Sequence, residues 1–306
     1  MGSSDGLQRH PSEEAEKTVI TRQLNLRLIA AAIRKAIECY STFFSKPIDN
    51  ICYDTLAAEY ADVFDEAVAY SLLEAGGIGE KDHLNLWCIG KVLQPSQYIE
   101  SGIYTGSSLH ALLKSGTIED IVGIDPNLNN LKINPADLAD ASLICDKDFS
   151  EIDFQQVASP HLVYFDDHIN AAKRIIEAHQ KGFKVLLFDD ATGVEGVCQR
   201  LYPAIPTIPM ISNYELLSVG DIISWSFPMH RRVTLKSRLK QLVTGKSLGS
   251  WTRLDLEISE DFINLCEEAN KLIEKVEKLP DLGDYIHQQW PHSSVDTSKF
   301  LIQLKD

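Results

Sequence analysis

Apolar residues recur at helical spacing in the first third of the chain. Isoleucines four positions apart among alanines and charged residues predict a helix with one buried stripe over 25–44. Two further helices are predicted over 56–75 and 81–94, the last ending before a proline. The pattern therefore predicts a helical region over 20–95, after a polar, flexible leader over 1–19. The apolar stripes of these helices favour homodimerisation.

After residue 95, short apolar runs alternate with segments of helical length. The runs are "SQYIE", "IEDIVGID", "ASLICD", "HLVYFDD" and "FKVLLFDD". This alternation predicts an α/β fold, doubly wound, with a mostly parallel seven-stranded sheet and helices on both faces. The remainder of the chain, 96–306, would form one domain.

The last part of the chain predicts an edge of this sheet and a cap. The runs "DIISWSF" (221–227) and "KFLIQLK" (299–305) are expected to pair as an antiparallel edge. Between them, a capping insertion is expected at about 228–297, with a helix over 261–279.

Composition and charge narrow the classes of function. The 306 residues include 29 Lys and Arg against 44 Asp and Glu, a formal charge of −15, which argues against nucleic-acid and membrane partners and favours a cationic ligand or a metal. The six cysteines are scattered without a CxxC pair, which is typical of a reducing cytoplasm. Neither a signal peptide nor an apolar stretch of about 20 residues is evident.

Two acidic pairs stand at the predicted carboxyl ends of neighbouring strands, where such sheets bind ligands. They are Asp166-Asp167 and Asp189-Asp190. If the strands are adjacent, three of these carboxylates converge and repel each other unless a cation or a proton neutralises them. Hard oxygen ligands favour Mg²⁺, or else Ca²⁺ or Mn²⁺. The alternative is that the acids are solvated or cap helices, a role for which Asp167 is well placed.

A glycine turn follows the first predicted strand in "YIESGIYTGSSLHALLKSG". Gly102 and Gly106 allow close approach of a ligand, and the amides near Ser107 and Ser108 are donors at a helix start. The spacing is GxxxG, which differs from the dinucleotide pattern GxGxxG, and the lysine of a phosphate-binding loop is absent from the motif. At the end of the next strand, Asp125 lies where a carboxylate commonly accepts ribose hydroxyls.

These residues resemble the cofactor signature of class I S-adenosylmethionine-dependent methyltransferases. The signature is Glu100-x-Gly102-x-x-x-Gly106 followed by Asp125, and the resemblance implies that Tyr104 and Ser107 within the turn also contact the cofactor. In that family, residues after the third strand often flank adenine. The resemblance therefore implies this role for Asp148 and Phe149, and less so for Asp146.

The acidic pairs resemble those of metal-dependent natural-product O-methyltransferases, of the macrocin O-methyltransferase type, over about a third of the chain (98–192). The resemblance implies that Asp166, Asp189 and Asp190 hold Mg²⁺. His168 then takes the place of the general base and Asp167 that of a glycine, and either of the two is a candidate base. The implied reaction is Mg²⁺-dependent methyl transfer from S-adenosylmethionine to a hydroxyl of a secondary metabolite, whether a sugar, a polyketide or a peptide.

Two other functions fit a sheet of this kind: an NAD(P)-dependent Rossmann oxidoreductase, and a non-catalytic protein that binds S-adenosylmethionine. The basic segment 230–246 is typical of a solvated face; the alternative is that it binds an anionic acceptor or an acidic carrier-protein partner.

Overall fold

The computed structural model describes residues 11–73, 78–154, 158–189, 204–229, 250–282 and 298–306, and within these ranges the side chains at 11–25, 225–229 and 250–254 are not described. Three helices come first, and alternating strands and helices follow. The helices are α1 (Pro11–Phe44), α2 (Tyr53–Ala69), α3 (Glu80–Leu93), α4 (Ser107–Leu113), α5 (Ala171–Gln180), α6 (Ile208–Ser212) and α7 (Glu260–Leu272). The strands are β1 (Gln97–Ser101), β2 (Asp120–Ile124), β3 (Ala141–Ile144), β4 (His161–Phe165), β5 (Val185–Phe188), β6 (Ile222–Met229), β7 (Ser250–Glu257), β8 (Ile273–Lys278) and β9 (Phe300–Leu304).

Seven strands form one Rossmann-like sheet in the order β3-β2-β1-β4-β5-β9-β8. The five strands predicted after residue 95 all form and pair in parallel. Strand β9 runs antiparallel to both of its neighbours, β5 and β8. The expected doubly wound, mostly parallel sheet is confirmed.

The pleat of the sheet divides the core into two layers, because successive side chains of a strand point to opposite faces. Tyr98, Tyr164 and Leu301 pack with the buried residues of α1 to α4. Ile99 and Phe165 pack with those of α5, α6 and α7. Strand residues two apart therefore share a face, and the same alternation decides on which face each acid at a strand end lies.

The N-terminal helices belong to the same apolar core as the sheet. Helix α1 begins at Pro11, so the expected flexible leader is wrong for 11–19, while residues 1–10 lie outside the described ranges. In its predicted stripe, Ile33 is 0% and Ile37 2% exposed, so these two residues are already covered within one chain. In the described part of the chain, no helix is long and apolar enough to cross a bilayer.

The last third of the chain differs from the expectation. Strand β6 pairs with β7 in a separate two-stranded sheet, so its predicted pairing with the 299–305 run is wrong. The predicted helix over 261–279 ends at Leu272 and continues directly as β8, the edge strand of the main sheet. Among the described residues of 228–297, α7 packs on α5 and β8 is the edge strand of the main sheet, so these two elements do not belong to a capping insertion.

Candidate functional site

The carboxyl ends of the central strands meet along one edge of the sheet. The amides of Gly102, Asp166 and Asp189 each donate to a carbonyl at the end of a neighbouring strand, at 2.8, 2.8 and 3.1 Å. The amide of Asp125 does the same towards β3, at 3.1 Å. The backbone ladder thus runs just past the strand ends and brings these four predicted site residues to one edge.

The glycine turn lies directly against the end of β4. Gly102 has φ +93°, and a Cβ there would lie 2.3 Å from the carbonyl oxygen of Asp166. Gly106 has φ +86°, and a Cβ there would lie 2.8 Å from Leu131 Cδ1. Glycine is required at both positions because it alone adopts positive φ without steric cost and leaves room for such contacts.

Asp125 shapes this turn. Its Oδ2 accepts hydrogen bonds from the amides of Ile103 and Tyr104, at 2.9 and 3.0 Å, and its Oδ1 accepts one from Asn127 N at 2.8 Å. A carboxylate has about four acceptor sites, so these three bonds leave capacity for about one ligand hydroxyl. The side chain of Tyr104, at the tip of the turn, is 41% exposed.

Glu100 lies beneath the turn and is fully buried. Tyr98 Oη donates to its Oε2 at 2.7 Å, and Ser108 Oγ donates to its Oε1. Burial raises the pKa of Glu100 to about 8, although the two hydroxyls act in the opposite direction. Ser107 is itself only 3% exposed, so this part of the predicted cofactor signature supports the turn from inside.

The two carboxylates of the first acidic pair face opposite sides of the sheet. Asp167 contacts the side that carries α5, where its Oδ2 accepts from Ser101 Oγ at 2.6 Å and from Arg174 Nε at 3.0 Å. On the other side, burial and then the negative charges of Asp166 and Asp189 raise the pKa of the Tyr164 hydroxyl, which belongs to the layer of α1 to α4. The pleat thus gives Asp167 a different cationic partner from Asp189, although both residues line the recess beyond β4 and β5.

Arg174 neutralises the acids on the α5 side. Its guanidinium is fully buried and binds both oxygens of Asp148, at 2.9 and 2.5 Å, together with Asp167 and Glu177 Oε2, the latter at 2.8 Å. Its hydrogen bonds hold the pKa of Asp148 well below its usual range. The Oδ2 of Asp167 already accepts from Ser101 and Arg174, and its Oδ1 accepts from Ile169 N, so this geometry argues against Asp167 as the base.

The residues expected beside adenine, Asp148 and Phe149, make contacts within the protein instead. Asp148 also caps the turn that follows it, through its bond from Ser150 N at 3.0 Å. Phe149 is 0% exposed and packs edge-on against Phe165, with ring centroids 4.9 Å apart. A side chain without accessible surface cannot flank a ligand, which corrects the expectation for Phe149.

Lys299 neutralises the acids on the other side. Its Nζ lies 2.7 Å from Asp189 Oδ1 and 3.0 Å from Asp82 Oδ2, and its side chain is 1% exposed. Burial alone would lower the pKa of Lys299, but Asp189, Asp82 and Asp166 outweigh it and raise the pKa. The ammonium therefore joins α3, which carries Asp82, to the ligand edge of the sheet.

The predicted metal site is not assembled by the described residues. Within these ranges, no three carboxylate, imidazole or thiolate side chains are grouped so that they could hold one ion. Asp190, the third predicted ligand, lies outside the described ranges. Asp189 is instead bound to Lys299.

His168 lies between the strand end and a small recess. Its Nε2 is 3.9 Å from Asp166 Oδ1, its side chain is 8% exposed, and its backbone has φ +53°. The recess lies beyond β4 and β5, and its walls include His168, Ile169, Phe188 and Thr207. An imidazole beside a carboxylate, in a mostly apolar recess, can accept a proton from a bound hydroxyl.

The two buried cations, Arg174 and Lys299, were not predicted from the sequence. Arg174 has a detectable signal, since it stands on the apolar stripe of α5 with Ala171, Ile175 and Ala178, where a charged residue implies a buried partner. Lys299 gives no such signal, because its partners lie far away along the chain.

Comparison with known proteins gives distant structural likeness only. No protein-family model and no curated protein matches the chain. A solved structure named "cmcI-N160 SAH" has 22% identity and a TM-score of 0.29, and the match covers 36% of this chain and 58% of that one. This chain therefore spans less than two thirds of that protein.

Two further solved structures extend over more of the chain. The SAH-bound methyltransferase PaMTH1 of Podospora anserina has 12% identity and a TM-score of 0.39, with 100% of both chains covered. The O-methyltransferase TomG of Streptomyces achromogenes, in complex with SAM and involved in tomaymycin synthesis, has 13% identity and a TM-score of 0.36, with 72% of this chain and 96% of that one covered. At such TM-scores the likeness assigns neither an activity nor a substrate.

Proposed function

We propose that this protein is an S-adenosylmethionine-dependent O-methyltransferase. The observation that carries the proposal is a glycine turn pinned by Asp125 and set against strand ends that carry Asp166 and Asp189. S-adenosylmethionine brings a sulfonium and an ammonium cation together with a ribose, and this edge offers the remaining acceptor capacity of Asp125 to the ribose and the negative charge of Asp166 to the cations. The negative charges of the same carboxylates would repel a pyrophosphate, which disfavours binding of a nicotinamide dinucleotide.

The proposed position of the cofactor follows from the turn. The ribose lies at Asp125, the ring of Tyr104 is accessible beside it, and the backbone at Gly102 and Gly106 allows close approach. The methyl group then points along the edge towards the recess beyond β4 and β5. Adenine contacts by Asp148 and Phe149 form no part of this proposal.

The recess is the proposed place of the acceptor hydroxyl alone, because its volume of about 10 Å³ admits one group of that size and the rest of the acceptor must lie outside it. Phe188 and Ile169 favour an apolar group next to the hydroxyl, as in many secondary metabolites. The acceptor oxygen forms a bond to the methyl carbon while the bond from carbon to sulfur breaks, and the sulfonium becomes a neutral thioether. The hydroxyl proton passes to the imidazole of His168, with Asp166 beside it.

The expected Mg²⁺ dependence does not fit the described residues. The ammonium of Lys299 already binds Asp189, and Asp167 faces the opposite side of the sheet with Arg174. No step is therefore assigned to a metal. The acidic carrier-protein partner rests on the basic segment 230–246, which lies outside the described ranges, so a small hydroxyl compound is the proposed acceptor.

Calorimetric titration tests the cofactor. We expect S-adenosylhomocysteine to bind wild type with a dissociation constant in the micromolar range and Gly102→Ala at least tenfold more weakly, and we expect no heat with NADH. Tight NADH binding would instead support the oxidoreductase. Transfer of a radiolabelled methyl group to any member of a panel of hydroxyl compounds would then exclude a role limited to binding the cofactor.

A further inference from the structure

We propose that Lys299 is a built-in cation that takes the place of a divalent metal at the acidic edge. This inference rests on the proposed methyl transfer, which it makes independent of metal. The ammonium lies 2.7 Å from Asp189 Oδ1 and 3.0 Å from Asp82 Oδ2. Asp166 also acts on it electrostatically. Two carboxylates, one from α3 and one from the end of β5, thus bind one positive charge, and the negative charge of Asp166 adds to its stabilisation.

The ammonium cannot leave this position easily. Lys299 directly precedes β9, which is hydrogen-bonded on both sides, to β5 and to β8. Lys299 and Leu301 are two apart, and Leu301 is fully buried in the layer of α1 to α4. The side chain is 1% exposed, so moving it away would break its two ion pairs, with Asp82 and Asp189, in a buried environment where such a loss is costly.

A divalent ion is incompatible with the ammonium in place. Mg²⁺ binds carboxylate oxygens at about 2.0–2.1 Å in near-octahedral geometry. An ion on the carboxylate of Asp189 would stand next to the positive charge of Lys299 in a site of low dielectric, where like charges repel strongly. Mg²⁺ would therefore have to displace Lys299, and proton removal from the acceptor falls to His168 alone.

A Mn²⁺ titration of the full chain, followed by the relaxation of water protons, tests this directly. We expect no Mn²⁺ site that depends on Asp189, so wild type and Asp189→Asn should give the same binding curve. Stoichiometric Mn²⁺ binding to wild type that is lost in Asp189→Asn would overturn the inference. Equal binding in both would place the ion elsewhere and leave the inference intact.

Lys299→Met supplies a readout that a purely structural role would not move. Removing the ammonium takes away the positive charge that Asp82 and Asp189 bind and that repels a divalent ion, so we expect Mn²⁺ affinity to rise at least tenfold and Mn²⁺ to raise the melting temperature of this variant. Lys305→Met, at the exposed far end of the same strand, is the matched control and should show neither effect. A folded Lys299→Met without any gain in Mn²⁺ affinity would also contradict the inference.

The result of these Mn²⁺ titrations does not depend on whether the cofactor is S-adenosylmethionine. Mn²⁺ titrations need no S-adenosylhomocysteine. The binding of that compound by wild type should be unchanged by about 1 mM EDTA, which removes bound divalent ions. Loss of binding in EDTA would overturn the metal-free site while supporting the cofactor. Absence of binding under every condition would refute the proposed function alone.

Discussion

Replacing Glu100 by glutamine tests the buried carboxyl beneath the glycine turn. The pKa of Glu100 is raised from 4.5 to about 8, chiefly by burial, so the native state holds this proton more tightly than the unfolded chain does. The associated stability is fully present below about pH 4.5 and is lost as the pH rises through about 8. At about 1.4 kcal/mol per unit, the difference amounts to about 5 kcal/mol.

Glutamine has nearly the same shape and does not titrate. Both hydroxyl partners, on Tyr98 and Ser108, can donate or accept, so they can bind an amide as well as a protonated carboxyl. We therefore expect Glu100→Gln and wild type to be similar in unfolding free energy at pH 5, and the variant to be more stable by several kcal/mol at pH 9.

Urea unfolding followed by circular dichroism at pH 5, 7 and 9 measures this difference. Glu119→Gln, at an exposed position, is the matched control and should follow wild type at every pH. If the difference between Glu100→Gln and wild type stays constant within about 1 kcal/mol from pH 5 to pH 9, Glu100 is ionised in the native state and the reasoning is refuted.

Three further substitutions test the site. Arg174→Met leaves three carboxylates without their buried partner and should lower the free energy of unfolding, measured in urea, by about 3–5 kcal/mol. The side chain of Lys173 is 57% exposed, so the control Lys173→Met should change this free energy by less than about 0.5 kcal/mol. Gly102→Ala should cost about 2 kcal/mol or more because of its φ of +93° and the 2.3 Å approach of Asp166 O, while Gly116→Ala, which meets nothing within 4 Å, should be neutral in the same assay. His168→Asn keeps a residue that tolerates φ +53° and should lower the turnover rate by about 10²–10⁴ with S-adenosylhomocysteine affinity unchanged; an unaltered rate would exclude His168 as the base.

The sheet and its ligand edge were predictable because their signals are local. Each apolar run after residue 95 ends where the hydrogen-bonded strand ends, and the acidic residues come directly after it in the chain. The boundary at Leu272 was not predictable. Four of the six residues of 273–278 are Glu or Lys, which are good helix formers, and pairing with β9 makes this segment a strand.

The partners of the acids were not predictable for a related reason. Sequence shows two acidic pairs but not how the pleat distributes them, and a metal was the simplest cation to invoke. The structure supplies two side-chain cations instead, Arg174 from the facing helix and Lys299 from a strand 110 positions after Asp189. Contacts that close over such distances are set by topology, which a local pattern does not encode.

The order of the strands has a consequence for biosynthesis. Strand β5 pairs with β4 on one side, but its other side is covered only by β9, whose Gln303 partners Val185 from 118 positions further along the chain. While the intervening segment is being translated, β5 presents an open row of apolar residues and unpaired amides. A nascent chain of this topology is therefore expected to depend on chaperones until β9 has emerged, and ribosome stalling between residues 190 and 299 should yield aggregated rather than partly active product.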